Sequence, residues 1–157
     1  MAAIELTRML EKAGAEYELL PHAHTETAVA EAEALGVDPD DVAKTLVLST
    51  PDGNVRAVLP ASARLDVHKV RDVLGVTGKR VHLLNEEALA REYPEFELGA
   101  VPPLGGARRE RVLLDTKLSE RDSVVVEAGS HDESVRLKTA DLVRLTQAEI
   151  ADICRGS

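Results

Sequence analysis

The fold is decided by the stretch Lys44-Thr45-Leu46-Val47-Leu48-Ser49-Thr50-Pro51-Asp52-Gly53-Asn54-Val55-Arg56-Ala57-Val58-Leu59. Two runs rich in aliphatic residues, 44–48 and 55–59, are typical of β-strands. The segment between them, Pro51-Asp52-Gly53-Asn54, consists of the residue types that favour turns. The stretch therefore predicts a β-hairpin in the middle of the chain.

Helix and strand signals are interspersed on both sides of this hairpin. Apolar periodicity, caps and glycine stops predict helices at 6–13, 27–35 and 67–74, a helical turn begun by Asp38-Pro39-Asp40-Asp41, and a helix capped by Asn85. Strands are predicted at 17–20, 80–84, 112–114, 124–127 and 135–137. The capping box Thr146-Gln147-Ala148-Glu149 predicts the start of a last helix. This order predicts an α/β (α+β) fold, with a mixed, largely antiparallel sheet flanked by helices, in a single domain over residues 1–157.

Composition and charge limit the kinds of function. The 157 residues carry a net charge of −9, and the aromatic residues are few: Tyr17, Tyr93 and Phe96. Base stacking is therefore excluded as a main binding device, and RNA could be held only through a local patch or by one end.

No apolar run approaches the ~18 residues of a membrane span, and the amino-terminal segment is not typical of a signal peptide, so a cytoplasmic protein is predicted. The lone cysteine, Cys154, is expected to lie at a frayed terminus without a role.

Lys44 is the first candidate for chemistry. Alternation along a strand places it on the same face as Val42, Leu46 and Leu48, so a cation points where its neighbours are apolar. Two interpretations remain open: the lysine reaches water at a strand end, or it lines a cleft and binds a phosphate or polarises a carbonyl.

The segment Gly99-Ala100-Val101-Pro102-Pro103-Leu104-Gly105-Gly106 is the second candidate. Glycine allows close approach of the backbone to a ligand, free N–H groups can bind an oxyanion, and proline stiffens a loop. A rigid surface turn is the alternative. Nearby, Arg108, Arg109 and Arg111 form a short basic run that is either solvated surface or a grip on phosphates.

The five histidines do not suggest a metal site. His22, His24, His68, His82 and His131 include no helical i, i+4 pair, and no cysteine supports them, so no metal and no cofactor are expected. His131 follows Gly129-Ser130 and is either a hydrogen-bonded loop residue or part of a cleft.

Taken in order, these motifs resemble the YbaK / prolyl-tRNA-synthetase-associated domain family. The similarity extends over about 19–153 and includes Val42-Ala43-Lys44-Thr45-Leu46-Val47, Leu59-Pro60, Gly99-Ala100-Val101-Pro102-Pro103 as a Gly-x-x-x-Pro loop, Val126-Glu127-Ala128-Gly129 and Val135-Arg136-Leu137. The resemblance implies the family fold and an aminoacyl-tRNA deacylase, a trans-editing hydrolase that acts at the 3′ end of mischarged tRNA without metal. The substrate's own ribose hydroxyl is then expected to help activate water.

By this resemblance, the catalytic residues are Lys44, Gly99, Ala100 and Val101. Thr45, Pro102, Pro103, His131 and Arg108 are expected to bind substrate, which would be Cys- or Ala-tRNA(Pro), with prolyl-tRNA synthetase as a candidate partner. Pro102 stands where many family members have serine, Leu104 where many have phenylalanine, and Thr45 where some have asparagine. These departures leave the rejected amino acid open.

Two other hypotheses remain at the level of the sequence. The chain could be a non-catalytic module that binds tRNA or a synthetase through the same cleft, or a small-molecule esterase that uses the same pocket. The low count of basic residues favours both over a tight tRNA binder. The sequence leaves the oligomeric state undetermined.

Overall fold

The structure is a computed structural model that describes residues 2–76, 80–106 and 109–156. In these ranges the helices are α1 Ala2–Lys12, α2 Ala28–Leu35, α3 Val67–Leu74, α4 Glu86–Glu92, α5 Thr116–Ser119 and α6 Thr139–Thr146. The strands are β1 Tyr17–Pro21, β2 Val42–Thr50, β3 Gly53–Pro60, β4 His82–Leu83, β5 Arg111–Asp115, β6 Ser123–Ser130, β7 Glu133–Lys138 and β8 Glu149–Ala151. No helix of the described ranges is both long enough and apolar enough to cross a membrane.

The strands form one mixed sheet. Its order is β1-β7-β6-β2-β3-β5-β8, and β4 pairs with β2 beside this path. The pairs β2–β6, β3–β5 and β5–β8 are parallel, whereas β1–β7, β6–β7, β2–β3 and β2–β4 are antiparallel. The predicted fold class, with its mixed and largely antiparallel sheet, is confirmed.

Helices cover both faces of this sheet because the strands are apolar on both sides. In β5, Val112 and Leu114 belong to a core cluster that includes α1 and α6, whereas Leu113 belongs to another that includes Val70 of α3. The alternation of side chains along a strand distributes these residues between the two cores. A smaller cluster packs α2 against the β2–β6 junction.

The predicted hairpin is present as β2 and β3. Lys44 pairs with Leu59 and Thr50 with Gly53, so the register follows directly from the tight turn. Gly53 has a φ of +115°, which explains why this turn requires glycine.

The predicted helix ends are also present. Asn85 caps α4 as predicted, by accepting a hydrogen bond from the Ala88 N–H at 2.8 Å. Thr27, which we expected to be the first residue of its helix, instead caps α2 by accepting from the Ala30 N–H at 3.1 Å. The Asp38 cap begins a 3₁₀ turn, Pro39–Asp41, and the strand predicted at 80–84 is the short β4.

The prediction of a helix beginning at the Thr146-Gln147-Ala148-Glu149 box is wrong. α6 ends at Thr146, whose hydroxyl donates to the Leu142 carbonyl at 2.7 Å, and Gln147 has a φ of +53°. The chain then continues as β8, parallel to β5. Residues 146–149 therefore connect the end of α6 to the start of β8, and the pairing of β8 with β5 determines this outcome.

The expectation of a frayed carboxyl terminus is wrong as well. Cys154 is fully buried and forms an isolated bridge with Leu65. Just before it, the Ile153 N–H donates to the Asp115 carboxylate at 3.0 Å, and the Ile153 carbonyl accepts from the Asp66 N–H at 2.8 Å. The terminal segment is therefore part of the core, and Cys154 is a core residue.

Candidate active site

A cavity opens along one edge of β2, where two neighbouring strands diverge. On that edge β6 pairs with Val42 and Ala43, and β4 pairs with Leu48 and Ser49. Among the described residues no strand pairs with this edge at positions 44–47. The cavity at this gap has a volume of about 440 Å³ and is walled by segments from β2, α2, the 99–101 segment and Glu127 of β6.

Lys44 lies in the wall of this cavity. Its Nζ donates to the Ala63 carbonyl at 2.6 Å and is 3.4 Å from the Ala61 carbonyl. Burial lowers the pKa of Lys44, and the nearby charge of Arg64 lowers it further. Of the two interpretations left open by the sequence, the structure supports the cleft-lining lysine.

The 99–103 loop forms the opposite wall. Gly99, with a φ of +82°, and Val101 line the cavity, whereas Ala100, Pro102 and Pro103 are buried behind them. The Ala100 N–H donates to the Glu97 carbonyl at 3.0 Å, so it is not free for a ligand. Within the described ranges, the N–H groups of Gly99 and Val101 have no hydrogen-bond acceptor. Two residues on the cavity wall thus have N–H groups that the described part of the fold does not use.

A buried arginine, which the sequence analysis did not single out, holds this loop from behind. Arg56 of β3 donates through Nη1 to the Pro102 carbonyl at 2.9 Å and through Nη2 to the Gly105 carbonyl at 3.0 Å. Its Nε pairs with the Glu110 carboxylate at 2.9 Å, and its guanidinium carbon lies 5.6 Å from the centre of the Tyr93 ring. An arginine within the apolar run 55–59 is the same kind of signal that identified Lys44, and it could have revealed this residue.

A β-bulge fixes the third wall. The pairing of β6 with β7 shifts register between Glu127 and Ser130, and Gly129 in the bulge has a φ of +94°. The Gly129 carbonyl accepts a hydrogen bond from the Glu97 N–H at 2.9 Å, which ties the start of the 99–103 loop to β6. The bulge thus places Glu127 on the cavity wall next to that loop.

His131 lies behind the loop and not on the cavity wall, although we expected it among the substrate-binding residues. It is buried, and its Nε2 is 2.6 Å from the Leu98 carbonyl. Because a carbonyl only accepts, Nε2 carries the proton and donates it. A Cβ added to Gly99 would lie 3.6 Å from the His131 ring, so the histidine supports the loop as a hydrogen-bonded residue.

Glu127 is an acid with a strongly shifted pKa. Burial raises the pKa of its carboxyl to about 8, and the charges of Glu31, Glu97 and Glu26 raise it as well. Its Oε2 lies 3.1 Å from His131 Nδ1, but neither atom has a well-aligned hydrogen bond within the described residues. At neutral pH this carboxyl therefore holds its proton for most of the time. In the sequence, the only indication of a buried acid here is that Glu127 lies in the apolar strand β6.

Two further acids surround this corner. Glu31 of α2 is fully buried, accepts a hydrogen bond from the Ser134 hydroxyl and leaves its Oε1 without a described partner. Burial raises the pKa of Glu31. Glu26, at the exposed rim of the cavity, is 2.7 Å from His24, and this hydrogen bond lowers the Glu26 pKa. The environment therefore favours the ionised form of Glu26 at the rim, whereas burial favours the neutral forms of Glu31 and Glu127 beneath it.

The structure thus gathers part of the predicted site. Lys44, Thr45, Gly99 and Val101 line one cavity, and Ala100, Pro102, Pro103 and His131 form its support. Arg108 lies outside the described residues. In the described ranges, no three His, Cys, Asp or Glu side chains are grouped so that they could hold a metal ion.

Comparisons with known proteins agree with this fold. Residues 22–145 match the family described as the aminoacyl-tRNA editing domain. The chain is 30% identical over 155 residues to the multifunctional Ser/Thr-tRNA deacylase ProXp-y of Escherichia coli (strain K12), covering 96% of this chain and 91% of that protein. It is 27% identical over 150 residues to EbsC of Enterococcus faecalis (strain ATCC 700802 / V583), named as a candidate Cys-tRNA(Pro)/Cys-tRNA(Cys) deacylase, covering 93% and 90%.

A solved structure gives the same result. It is described as a candidate trans-editing enzyme for prolyl tRNA synthetase and superposes with a TM-score of 0.87 at 26% identity, covering 99% of this chain and 98% of the other. This chain belongs to the aminoacyl-tRNA editing domain family. The class predicted from the sequence, a hydrolase of the aminoacyl-tRNA deacylase type, is thereby confirmed.

Proposed function

We propose that this chain is a trans-editing hydrolase that cuts the ester between a mischarged amino acid and the 3′ ribose of tRNA. One observation carries the proposal. A single cavity brings a half-buried lysine, Lys44, together with the N–H groups of Gly99 and Val101, which have no acceptor in the described part of the chain. Backbone donors without acceptors are the means by which a site binds developing negative charge on an ester carbonyl.

The reaction follows from these donors. Water attacks the ester carbonyl, and the oxyanion that forms is bound by the Gly99 and Val101 N–H groups. The bond to the ribose oxygen then breaks, and the proton lost by water goes to that oxygen, leaving free amino acid and a ribose hydroxyl. The neighbouring ribose hydroxyl orients the water, as the family resemblance implies. Positioning and charge stabilisation account for the rate enhancement.

Lys44 has a donor left for the substrate. An ammonium group carries three N–H donors, and two of them point to the carbonyls of Ala61 and Ala63. We assign the third to the ester or the adjacent ribose oxygen. The two carbonyl bonds hold the side chain in place and thereby reduce the entropy lost when substrate binds.

The acidic rim suits the other end of the substrate. An aminoacyl ester carries an α-ammonium group, and Glu26 supplies an ionised carboxylate on the cavity wall. The side-chain pocket is formed in part by Ala28, Ala43 and Thr45, which favours a small amino acid. We propose Cys or Ala on tRNA for proline, with prolyl-tRNA synthetase as the partner that supplies the tRNA.

The test is hydrolysis of a panel of aminoacyl-tRNAs. Ala, Ser, Thr, Cys and Pro are each attached to tRNA for proline and incubated with wild type, with Lys44→Ala and with Lys69→Ala. Lys69 is a matched control because it is also partly buried and donates to a backbone carbonyl, that of Cys154 at 2.7 Å, away from the cavity. We expect wild type and Lys69→Ala to release one small amino acid and Lys44→Ala to release it at least about a hundredfold more slowly.

Other results would assign the cavity differently. Release of none of the amino acids, with tRNA still bound, would indicate a non-catalytic binding module. Full activity of Lys44→Ala would refute the assigned role of Lys44. Adding prolyl-tRNA synthetase to each reaction tests the partner, since a supplying synthetase raises the rate at limiting deacylase.

A further inference from the structure

A second cavity lies beside the first, separated from it by the segment that follows β3. It has a volume of about 670 Å³ and includes Ala63 in its wall, whereas Ala61 lies in the wall of the first. The two carbonyls that bind Lys44 therefore belong to the ridge between the two cavities. Whatever occupies the second cavity approaches the reactive site over this ridge.

The second cavity is basic, in a chain with 28 acidic residues against 19 lysines and arginines. Its wall contains four cations, Arg64, Lys117, Arg121 and Arg155, and two carboxylates, Asp40 and Glu120, so its net charge is positive. Arg121 is already neutralised, because its Nε pairs with Asp41 at 2.7 Å. The other three are exposed and form no ion pair with any residue of the described ranges. We call Arg64, Lys117 and Arg155 the basic cleft.

The backbone holds these three residues in fixed positions. The Arg155 N–H donates to the Arg64 carbonyl at 2.8 Å, next to the bridge between Leu65 and Cys154. Lys117 lies in the first turn of α5, and its N–H binds the Asp115 carboxylate, which also accepts from Ile153. Three separate segments of the chain thus converge to present one cation each.

Charge is therefore unevenly distributed along the line through the two cavities. The basic cleft lies on one side of Lys44, and the acidic rim with Glu26 lies within the first cavity. An aminoacylated strand has the matching polarity, with phosphates on one side of its ester and an ammonium group on the other. The electrostatic fit favours one direction of entry.

We propose that the basic cleft binds the phosphodiesters of the single-stranded 3′ end of tRNA and so directs the terminal ester over the 61–63 ridge to Lys44. This proposal rests on the proposed function, since it takes aminoacyl-tRNA as the substrate. It also answers how a protein of net charge −9 can engage RNA: the contact is local and limited to a few phosphates.

The experiment measures binding of uncharged tRNA for proline, so it does not depend on hydrolysis. The cleft variant is Arg64→Gln/Lys117→Gln/Arg155→Gln. The control variant is Arg8→Gln/Lys12→Gln/Arg91→Gln, which removes three exposed cations elsewhere and reaches the same net charge. Dissociation constants are measured across a salt series, and thermal unfolding of both variants checks that they are folded.

We expect the cleft variant to bind tRNA at least about tenfold more weakly at low salt, with a salt slope reduced by about 2, since each phosphate contact on a single strand contributes about 0.7. The control variant should change less than about threefold, because it alters only the net charge. A tRNA without its last three nucleotides should bind wild type about as weakly as the full tRNA binds the cleft variant.

Two results would overturn the proposal. Equal losses in the two variants would show that only net charge matters. Strong binding of the truncated tRNA to wild type, weakened by the cleft variant, would place the cleft on the double-stranded stem. If wild type hydrolyses no ester but binding still depends on the basic cleft, the proposed function and the delivery of the ester to Lys44 fail, whereas the binding of the 3′ phosphodiesters stands.

Discussion

Two buried polar regions support the 99–103 loop, and they differ in how completely their charges are satisfied. In the first, the Arg56 region, the guanidinium binds two loop carbonyls and the Glu110 carboxylate, which also accepts from the Tyr93 hydroxyl at 2.5 Å. In the second, the Glu127 region, three polar atoms lack a well-aligned partner among the described residues: Glu31 Oε1, Glu127 Oε2 and His131 Nδ1.

This difference indicates that the Arg56 region has a structural role, whereas the Glu127 region belongs to the functional site. Charges and hydrogen bonds in the Arg56 region are matched, so this region holds the loop without an unpaired buried charge. In the Glu127 region, burial and then the charges of neighbouring acids raise the pKa of Glu127 to about 8. An unpaired buried acid costs stability, and such costs are concentrated at functional sites. Only the second region contributes a residue, Glu127, to the cavity wall.

The largest expected effect comes from breaking the Arg56 region. Arg56→Met leaves Glu110 buried without its charge partner and removes the donors to Pro102 and Gly105, so we expect a loss of about 3–5 kcal/mol in the free energy of unfolding. Denaturant titration measures it. The control is Arg111→Met, which removes an exposed pair with Glu149 and should cost no more than about 1 kcal/mol. Similar losses in both variants would contradict the distinction between the two regions.

An intermediate effect should appear when Glu127 is made permanently neutral. Its pKa rises on folding from an ordinary 4.5 to about 8, so the folded state holds the proton more tightly. Its contribution to stability is complete below about pH 4.5 and is lost as pH rises through about 8. Between these values wild type should lose up to roughly 1 kcal/mol per pH unit relative to Glu127→Gln.

Unfolding titrations at several pH values between 5 and 8 measure this dependence. Glu16→Gln is the control, because Glu16 is 84% exposed in its side chain. That variant should keep the wild-type pH profile. A Glu127→Gln profile parallel to that of wild type would show that Glu127 is ionised throughout the range.

The smallest effect tests the loop itself. Gly99 and Gly105 have φ values of +82° and +92°, and a Cβ at either position meets nothing closer than an ordinary contact. Alanine at either position should therefore cost about 1 kcal/mol through backbone strain. Only Gly99→Ala should also slow deacylation, because Gly99 alone of the two lines the cavity. Equal activity of the two variants would remove Gly99 from the site.

Much of the fold could be predicted from local signals. The β2–β3 hairpin, the Asn85 cap and the helix stop at Gly36 all occur as predicted, because each depends on hydrogen bonds within a few residues. The box at 146–149 failed for the opposite reason. Its local pattern permits a helix start, but residues 149–151 pair with β5 instead, and that pairing is set by a segment distant in the sequence.

The candidate site divides in the same way. Lys44 and the 99–103 loop were visible in the sequence as a cation among apolar residues and as a cluster of glycine and proline. Arg56 carried the same signal and was missed, since nothing local indicated that its partners lie at 102, 105 and 110. Glu127 carried almost no signal, because glutamate in a strand is ordinarily solvated.

The sequence by itself determined α1 to α4 and β1 to β7, the central hairpin, the family resemblance and the two segments that line opposite walls of the cavity, but not α5, α6 or β8. Only the tertiary structure decided that β2 separates from β6 at Lys44, that Glu127 lies among Glu26, Glu31 and Glu97, and that Arg64, Lys117 and Arg155 converge. The physical reason is the separation in sequence between the residues that interact. Caps, turns and alternation arise from neighbours in the chain, whereas cavities, shifted pKa values and clusters of charge arise from residues that only the folded sheet brings together.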